Sequence, residues 1–289
     1  MKFERTKNAA RNVVFGVVLK IYALALPFVM RTAMIYWLGI EYLGLNSLFT
    51  SVLQVLNLAE LGVGSAMTFS MYKPIAEDDR DKICALMNLY HFYYRVIGGV
   101  VLVGGLAVLP FLPHLIKGSV PPDINIYVLY FLNLAATVLT YWLFAYRNSI
   151  FSAYQRTDVV SKVTIVTDTI KYSIQIFVLA CFHSYYLYVI AILVTQVLNN
   201  VSIAYLSRKM YPQYEPKGKV SKEERREINK RISDLFTSKL GGTIVGSADT
   251  IVISSFIGLK VLAVYQNYYY IITALSGIVI ILFNSVTAG

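Results

Sequence analysis

Residues 23–45, "ALALPFVMRTAMIYWLGIEYLGL", decide how the chain is read. An apolar helix runs through them into Gly39, and a second apolar helix starts at once. Arg31 stands inside the first helix, where a bare charge facing lipid costs several kcal/mol, so it marks an inward face with a task. The surrounding composition fits this reading. Of 289 residues 57% are hydrophobic and 15% charged, against about 25% charged in soluble domains. The chain is therefore read as an all-α polytopic membrane protein.

Runs of about 20 apolar residues, enough to cross the hydrocarbon as helix, predict eight transmembrane helices. They lie at 13–38, 45–70, 86–112, 124–146, 160–182, 185–207, 233–257 and 262–285. The first is too long for a signal peptide and lacks a small-residue cleavage site, so it is read as retained. Cys84 and Cys181 fall near opposite sides of the membrane, which argues against a disulfide and suggests no metal site.

The net charge of +10 resembles that of a nucleic-acid binder, but its distribution excludes that class. Four Lys and Arg precede the first helix, three fall in 71–85, three in 147–162 and nine in 208–231, which is 19 of 26. The opposite loops hold only Lys117 and Lys260. This asymmetry predicts a cytoplasmic N-terminus in a multi-pass membrane protein.

The one long polar segment divides the chain into a six-helix lobe, 1–208, a basic linker, 209–232, and two further helices, 233–289. Ser221 and Glu224 resemble a capping box. Ile228, Ile232 and Leu235 then suit a short helix lying on the membrane surface, although a solvated linker fits as well. An internal repeat carries more information. "LGIEYLGL" at 38–45 recurs as "IGLKVLAV" at 257–264, an offset of 219, and each stretch joins one outward helix to one inward helix. On this reading 233–289 opens a second lobe parallel to the first, and the chain is expected to be a fragment of a larger protein.

Polar stripes mark a hydrated interior, because lipid satisfies no polar group. Lys20 and Arg31 are eleven residues apart, three turns and about 20°, and share one face of the first helix across Pro27. Lys20 also reads as a side chain snorkelling to the interface. Asn88, His91, Arg95 and Gly98 align in the third helix, Asp168 and Lys171 in the fifth, and Lys239, Gly246 and Asp249 in the seventh. The second helix offers Thr50, Gln54, Asn57 and Glu60. If all face inward, the cations Lys20, Arg31, Arg95, Lys171 and Lys239 exceed the acids Glu60, Asp168 and Asp249 by two. That surplus favours an anionic substrate, and arginine's planar fork suits phosphate oxygens. The glycines of 98–105 and of "GGTIVG", 241–246, are read as helix-packing positions. No metal motif, phosphate loop or nucleophile elbow appears, so the chain is not read as an enzyme and no bound cofactor is expected.

Residues 41–83, "EYLGLNSLFTSVLQVLNLAELGVGSAMTFSMYKPIAEDDRDKI", and 247–271, "SADTIVISSFIGLKVLAVYQNYYYI", resemble the Wzx-type polysaccharide-biosynthesis flippases of the MOP superfamily, which includes the MATE exporters. The resemblance implies two six-helix lobes, sometimes with two additional helices, around a central cavity with alternating access. It implies an undecaprenyl-pyrophosphate-linked oligosaccharide as substrate, and basic cavity residues that recognise it. It further implies coupling to an H+ or Na+ gradient. The stripe acids Glu60, Asp168 and Asp249 are read as charge balance first and as coupling groups second. Membrane lipids, a glycan polymerase and glycosyltransferases are the implied partners. Two other readings stay open: a multidrug or organic-cation antiporter of the same superfamily, and a non-transporting scaffold in a glycan-assembly complex.

Overall fold

A computed structural model describes the backbone of residues 5–118 and 120–287, with side chains for 11, 14–118 and 120–277. The basic residues Lys2, Arg5 and Lys7 and the apolar stretch 278–285 fall outside the described side chains. The helices are α1 (Arg5–Trp37), α2 (Ile40–Leu56), α3 (Val63–Ala76), α4 (Arg80–Val108), α5 (Ile126–Trp142), α6 (Asn148–Ala153), α7 (Thr157–Phe182), α8 (Tyr185–Met210), α9 (Lys222–Phe256) and α10 (Leu259–Thr287). There is no strand among the described residues.

Five stretches are long and apolar enough to cross a membrane, or six if the pair α5 and Ala145–Ala153, bent by 48°, counts as one broken span. The remaining two of the eight expected spans are helical but fall outside this set. In α9, Lys239, Asp249 and a run of Gly, Ser and Thr dilute the apolar character. In α10, the most apolar part begins where description of the side chains ends.

Local sequence explains where helices begin. The Asp79 carboxylate accepts the Lys82 amide at 3.0 Å, and Ser184 Oγ accepts that of Leu187 at 3.4 Å. Ser221 Oγ accepts the Glu224 amide at 3.2 Å, as the capping pattern predicts. The helix it opens is not short, however. Basic segment and span form one unbroken α9, because no Pro or positive-φ glycine interrupts 222–256. The second predicted span is broken, by contrast. A 3-10 turn, Asn57–Glu60, and a left-handed Gly62 separate α2 from α3. A Cβ on Gly62 would stand 2.7 Å from Cβ of Leu235, so the break is also where α9 crosses.

Inside the bundle α7 packs between α1 and α8, while α2 packs between α9 and α10. Leu45, Leu48, Tyr130, Leu134 and Leu179 are fully enclosed between helices. Val100, Val103 and Phe177 are more than half exposed on the outside, which suits contact with acyl chains.

The repeat is visible as geometry. Gly39 has φ 121° and Gly258 φ 126°, values that only glycine adopts without strain. The Gly39 amide donates to Met34 O at 3.1 Å and the Gly258 amide to Ile253 O at 2.9 Å, the same bond 219 residues apart. The two elbows lie side by side. Glu41 and Lys260, equivalent positions of the repeat, face each other at 3.1 Å. A Cβ on Gly44 would lie 2.2 Å from the Leu259 carbonyl oxygen, so α2 and α10 are in backbone contact.

Other glycines divide by the same test. Gly98 and Gly105 are sites of close approach, where a Cβ would meet the Trp142 indole at 2.3 Å and the Leu134 side chain at 2.4 Å. The packing reading of 241–246 is corrected: Gly241 and Gly242 have nothing within 4 Å of an added Cβ, and Gly246 has only the Tyr269 hydroxyl at 4.0 Å. Glycine spacing alone does not create a helix contact; a neighbouring helix must run along that face.

One end of the bundle is tied by a buried acid that the apolar runs gave no reason to notice. Asp158 is fully buried, with Arg11 at 2.9 Å, Arg156 at 2.9 Å and Lys162 at 3.4 Å. Lys162 also lies over the Phe15 ring, 4.2 Å from its centroid. This cluster joins α1 to α7.

Two outcomes follow for the purified protein in detergent, each read as a thermal unfolding midpoint. Asp158→Asn removes a buried acid from its three partly exposed cations and should cost about 3 kcal/mol. Gly44→Ala should cost about 1–3 kcal/mol by forcing α2 off α10, whereas Gly241→Ala, on an open helix face, should be neutral or stabilising by up to about 1 kcal/mol.

Candidate functional site

Proline at 27 removes one backbone donor from α1 and leaves the helix locally open. The nearby Leu24 carbonyl accepts the Tyr270 hydroxyl of α10. One turn further on, Arg31 reaches across the same gap. Its Nε donates to Asn267 Oδ1 at 3.0 Å, and its guanidinium lies over the Tyr270 ring, 5.4 Å from the centroid. Nη2 is buried without a hydrogen-bond partner. A guanidinium has five N–H donors, and the two on Arg31 Nη2 have no partner among the described residues.

Arg31 lines a cavity of about 200 Å³ between α1, α2, α7 and α8, together with Lys171, Tyr172, Gln175 and Tyr188. Lys171 Nζ donates to Asp168 at 2.6 Å and stands over the Tyr172 ring, 4.4 Å from its centroid. This i,i+3 pair is the one that the spacing in α7 makes available. Because Asp168 offsets Lys171, Arg31 is the uncompensated charge of the cavity.

A second cavity, of about 420 Å³, meets the first at Asn46, Tyr188 and Ile192. Its polar lining is neutral: amides from Gln54, Asn57, Asn133 and Gln196, and hydroxyls from Thr50, Thr137 and Thr140. The polar stripe predicted for the second helix thus forms one wall. The Tyr185 hydroxyl donates to Asn46 at 3.1 Å, and that of Tyr141 donates to Asn57 at 3.0 Å.

Glu60 occupies the break between α2 and α3. The Tyr90 hydroxyl donates to that of Tyr94 at 2.8 Å, and Tyr94 donates to Glu60 Oε1 at 2.9 Å. Glu60 and Lys239 line a third cavity, of about 560 Å³, with hydroxyls from Ser65, Thr68 and Ser152. Here an acid and a cation from different helices share one space.

The remaining predicted residues are dispersed. Lys20 is exposed on α1. Asp249 is exposed on α9 and accepts the Tyr265 hydroxyl at 2.7 Å. Arg95 is exposed at a separate pocket, beside Lys219 and Arg225 of the polar connection. Arg31, Lys171 and Asp168 therefore belong together, Glu60 and Lys239 belong together, and Lys20, Arg95 and Asp249 stand apart. The partners that the sequence left unmarked are Asn267 and Tyr270, 236 and 246 residues from the α1 groups they bind, and the cavity residues Asn46, Tyr172 and Tyr188. Of these, the polar run "YQNYYY" at 265–270 was the one available signal.

Among the described residues no cluster of His, Cys, Asp and Glu is arranged to hold a metal ion. Cys84 is buried and Cys181 exposed, and neither is in a disulfide.

Neither the curated proteins nor the solved structures contain a match to the chain. One family model, described as polysaccharide biosynthesis protein, matches residues 9–287. The chain is thus a membrane protein of the polysaccharide biosynthesis family, with a role in polysaccharide synthesis or transport.

Proposed function

We propose that the protein moves an undecaprenyl-pyrophosphate-linked oligosaccharide between the leaflets of a bacterial cytoplasmic membrane, as a Wzx-type flippase working by alternating access. The observation that carries this reading is the junction of the two cavities. Arg31, whose Nη2 is buried without a partner among the described residues, lines one end, and the adjoining space is lined by uncharged amides and hydroxyls. The first chemistry fits a pyrophosphate, which accepts charge-assisted hydrogen bonds. The second fits sugar hydroxyls, which need neutral donors and acceptors. Members of the family are transporters or flippases rather than enzymes, which supports movement over bond chemistry. An organic-cation exporter would place its uncompensated charge on an acid, the opposite of this cavity.

The N-terminus is assigned to the cytoplasm, because the basic segments collect at one end of the bundle and the opposite loops carry Lys117 and Lys260. Glu60 is the group best placed to couple transport to H+ or Na+. It is held by a tyrosine pair at a helix break and shares a polar cavity with Lys239. Glycosyltransferases supply the substrate and a polymerase consumes it on the other side. The lipid tail stays in the bilayer while the headgroup crosses.

Vesicles containing the full-length protein and a fluorescent lipid-linked glycan test the assignment. Arg31→Ala should slow transbilayer movement roughly thirtyfold, corresponding to about 2 kcal/mol of charge-assisted bonding, and undiminished movement would refute the phosphate role. Glu60→Gln keeps an acceptor for Tyr94 but cannot ionise. Its movement should become indifferent to an imposed H+ or Na+ gradient, while persistent stimulation would reduce Glu60 to a structural acceptor.

A further inference from the structure

Arg95 lies outside the cavities assigned to transport, and its surroundings indicate a different ligand. Residues 96–113 of α4 and the 3-10 turn that extends it contain eighteen residues without a charge. As helix they span about 27 Å, close to the hydrocarbon thickness. Arg95 therefore stands at the edge of the apolar layer. Trp142, an interfacial residue type, lies at the same level: its indole N–H donates to the Arg95 carbonyl at 3.2 Å.

The basic connection between α8 and α9 is fastened to α4 beside this edge. The Asn88 side-chain amide donates to Gly218 O at 2.9 Å, Lys82 pairs with Glu224 at 3.2 Å, and the Tyr93 hydroxyl donates to Asn229 at 2.6 Å. The result is a pocket of about 390 Å³ that carries Arg95, Lys219 and Arg225 and no carboxylate. Arg225 is steadied over the Phe92 ring, 5.8 Å from the centroid. Among the described residues none of the three cationic side chains has an acid partner. Directly beyond them Phe92, Val96, Val100 and Val103, which are 51%, 48%, 55% and 68% exposed, form a continuous apolar stripe along α4.

We propose that this pocket binds the phosphate headgroup of an anionic phospholipid, with an acyl chain lying along the Phe92–Val103 stripe. The lipid belongs to the leaflet at the basic end of the bundle, the cytoplasmic one in the orientation assigned above. Charge complementarity fixes the headgroup class, since a zwitterionic headgroup brings a cation into a space that holds three. Continuity with the stripe makes the occupant a lipid rather than a soluble phosphate. The site is independent of the glycan assignment, and would remain if the transported substrate were different. Its consequence is local: a lipid held here would brace α4 against α9 at the level of Trp142.

Trp142 supplies the readout. In the full-length protein with Trp142 as the sole tryptophan, Trp37 and any tryptophan outside residues 1–289 being replaced by Phe, brominated phosphatidylglycerol should quench its fluorescence about twofold more than brominated phosphatidylcholine at equal mole fraction. The triple variant Arg95→Gln, Lys219→Gln, Arg225→Gln should lose that preference. So should Arg95→Gln in part, and it disturbs no side-chain bond. Removing the same charge from the exposed face of α9, with Lys222→Gln, Arg226→Gln and Lys230→Gln, should leave the preference intact. Equal quenching by the two lipids, retention of the preference in the triple variant, or equal loss in the control would overturn the site. Reversal by millimolar inorganic phosphate would overturn its assignment to a lipid.

Discussion

The main chains of α2 and α10 touch at Gly44 and Leu259, and most of the remaining architecture is arranged around that contact. With no side chain at 44, the two helices approach more closely than any pair of larger residues allows. Packing at that range supplies association energy that lipid does not compete for, since acyl chains are as apolar as leucine. It also places Asn267 and Tyr270 of α10 within reach of α1, although α1 and α10 share little backbone contact. The gap between them is thus bridged by side chains rather than filled. A gap of that kind, lined by Arg31 and closed by removable polar contacts, is where a bundle in lipid can hold a hydrated space.

Among the described residues, tyrosine is the commonest partner in side-chain hydrogen bonds between different elements. The hydroxyls of Tyr94, Tyr141, Tyr185 and Tyr265 each meet a carboxylate or amide on another helix. Phenol suits this position because its ring packs like a hydrocarbon while its tip bonds. Acids and amides on α2, the 3-10 turn after it and α9 are thereby held without a full counter-charge, which leaves them available to something that enters. The exception is Asp158, held by cations from α1, the α6–α7 turn and α7, which tie those elements together.

The sequence made the helices, the Gly39 and Gly258 elbows and the Asp168–Lys171 pair legible, because each depends on neighbours along the chain or on a repeat. It also marked Arg31 as a residue with an inward task. What it left undetermined was which stripes face each other. A helical wheel fixes the angle of Arg95 and Lys239 about their own axes, but not which helix lies opposite, and so five cations drawn towards one cavity fall in separate places. The break at Glu60 was hidden for a related reason: Asn57, Glu60 and Gly62 are each tolerated in a helix, and the crossing of α9 is what makes the interruption favourable. The unbroken α9 reverses that case, since polar and apolar segments read as two elements when only composition changes between them.

Glu41 and Lys260 add a historical dimension. Two copies of one segment packed about a two-fold axis place the same residue opposite itself, and a pair of like charges at 3.1 Å would repel. Opposite signs at a self-facing position require that the two copies be encoded separately. The pair thus fits two diverged copies of one segment, complementary to each other and no longer each to itself. A lobe that carries glutamate there would meet a like charge in a second copy of itself, a preference worth under about 1 kcal/mol at so exposed a pair.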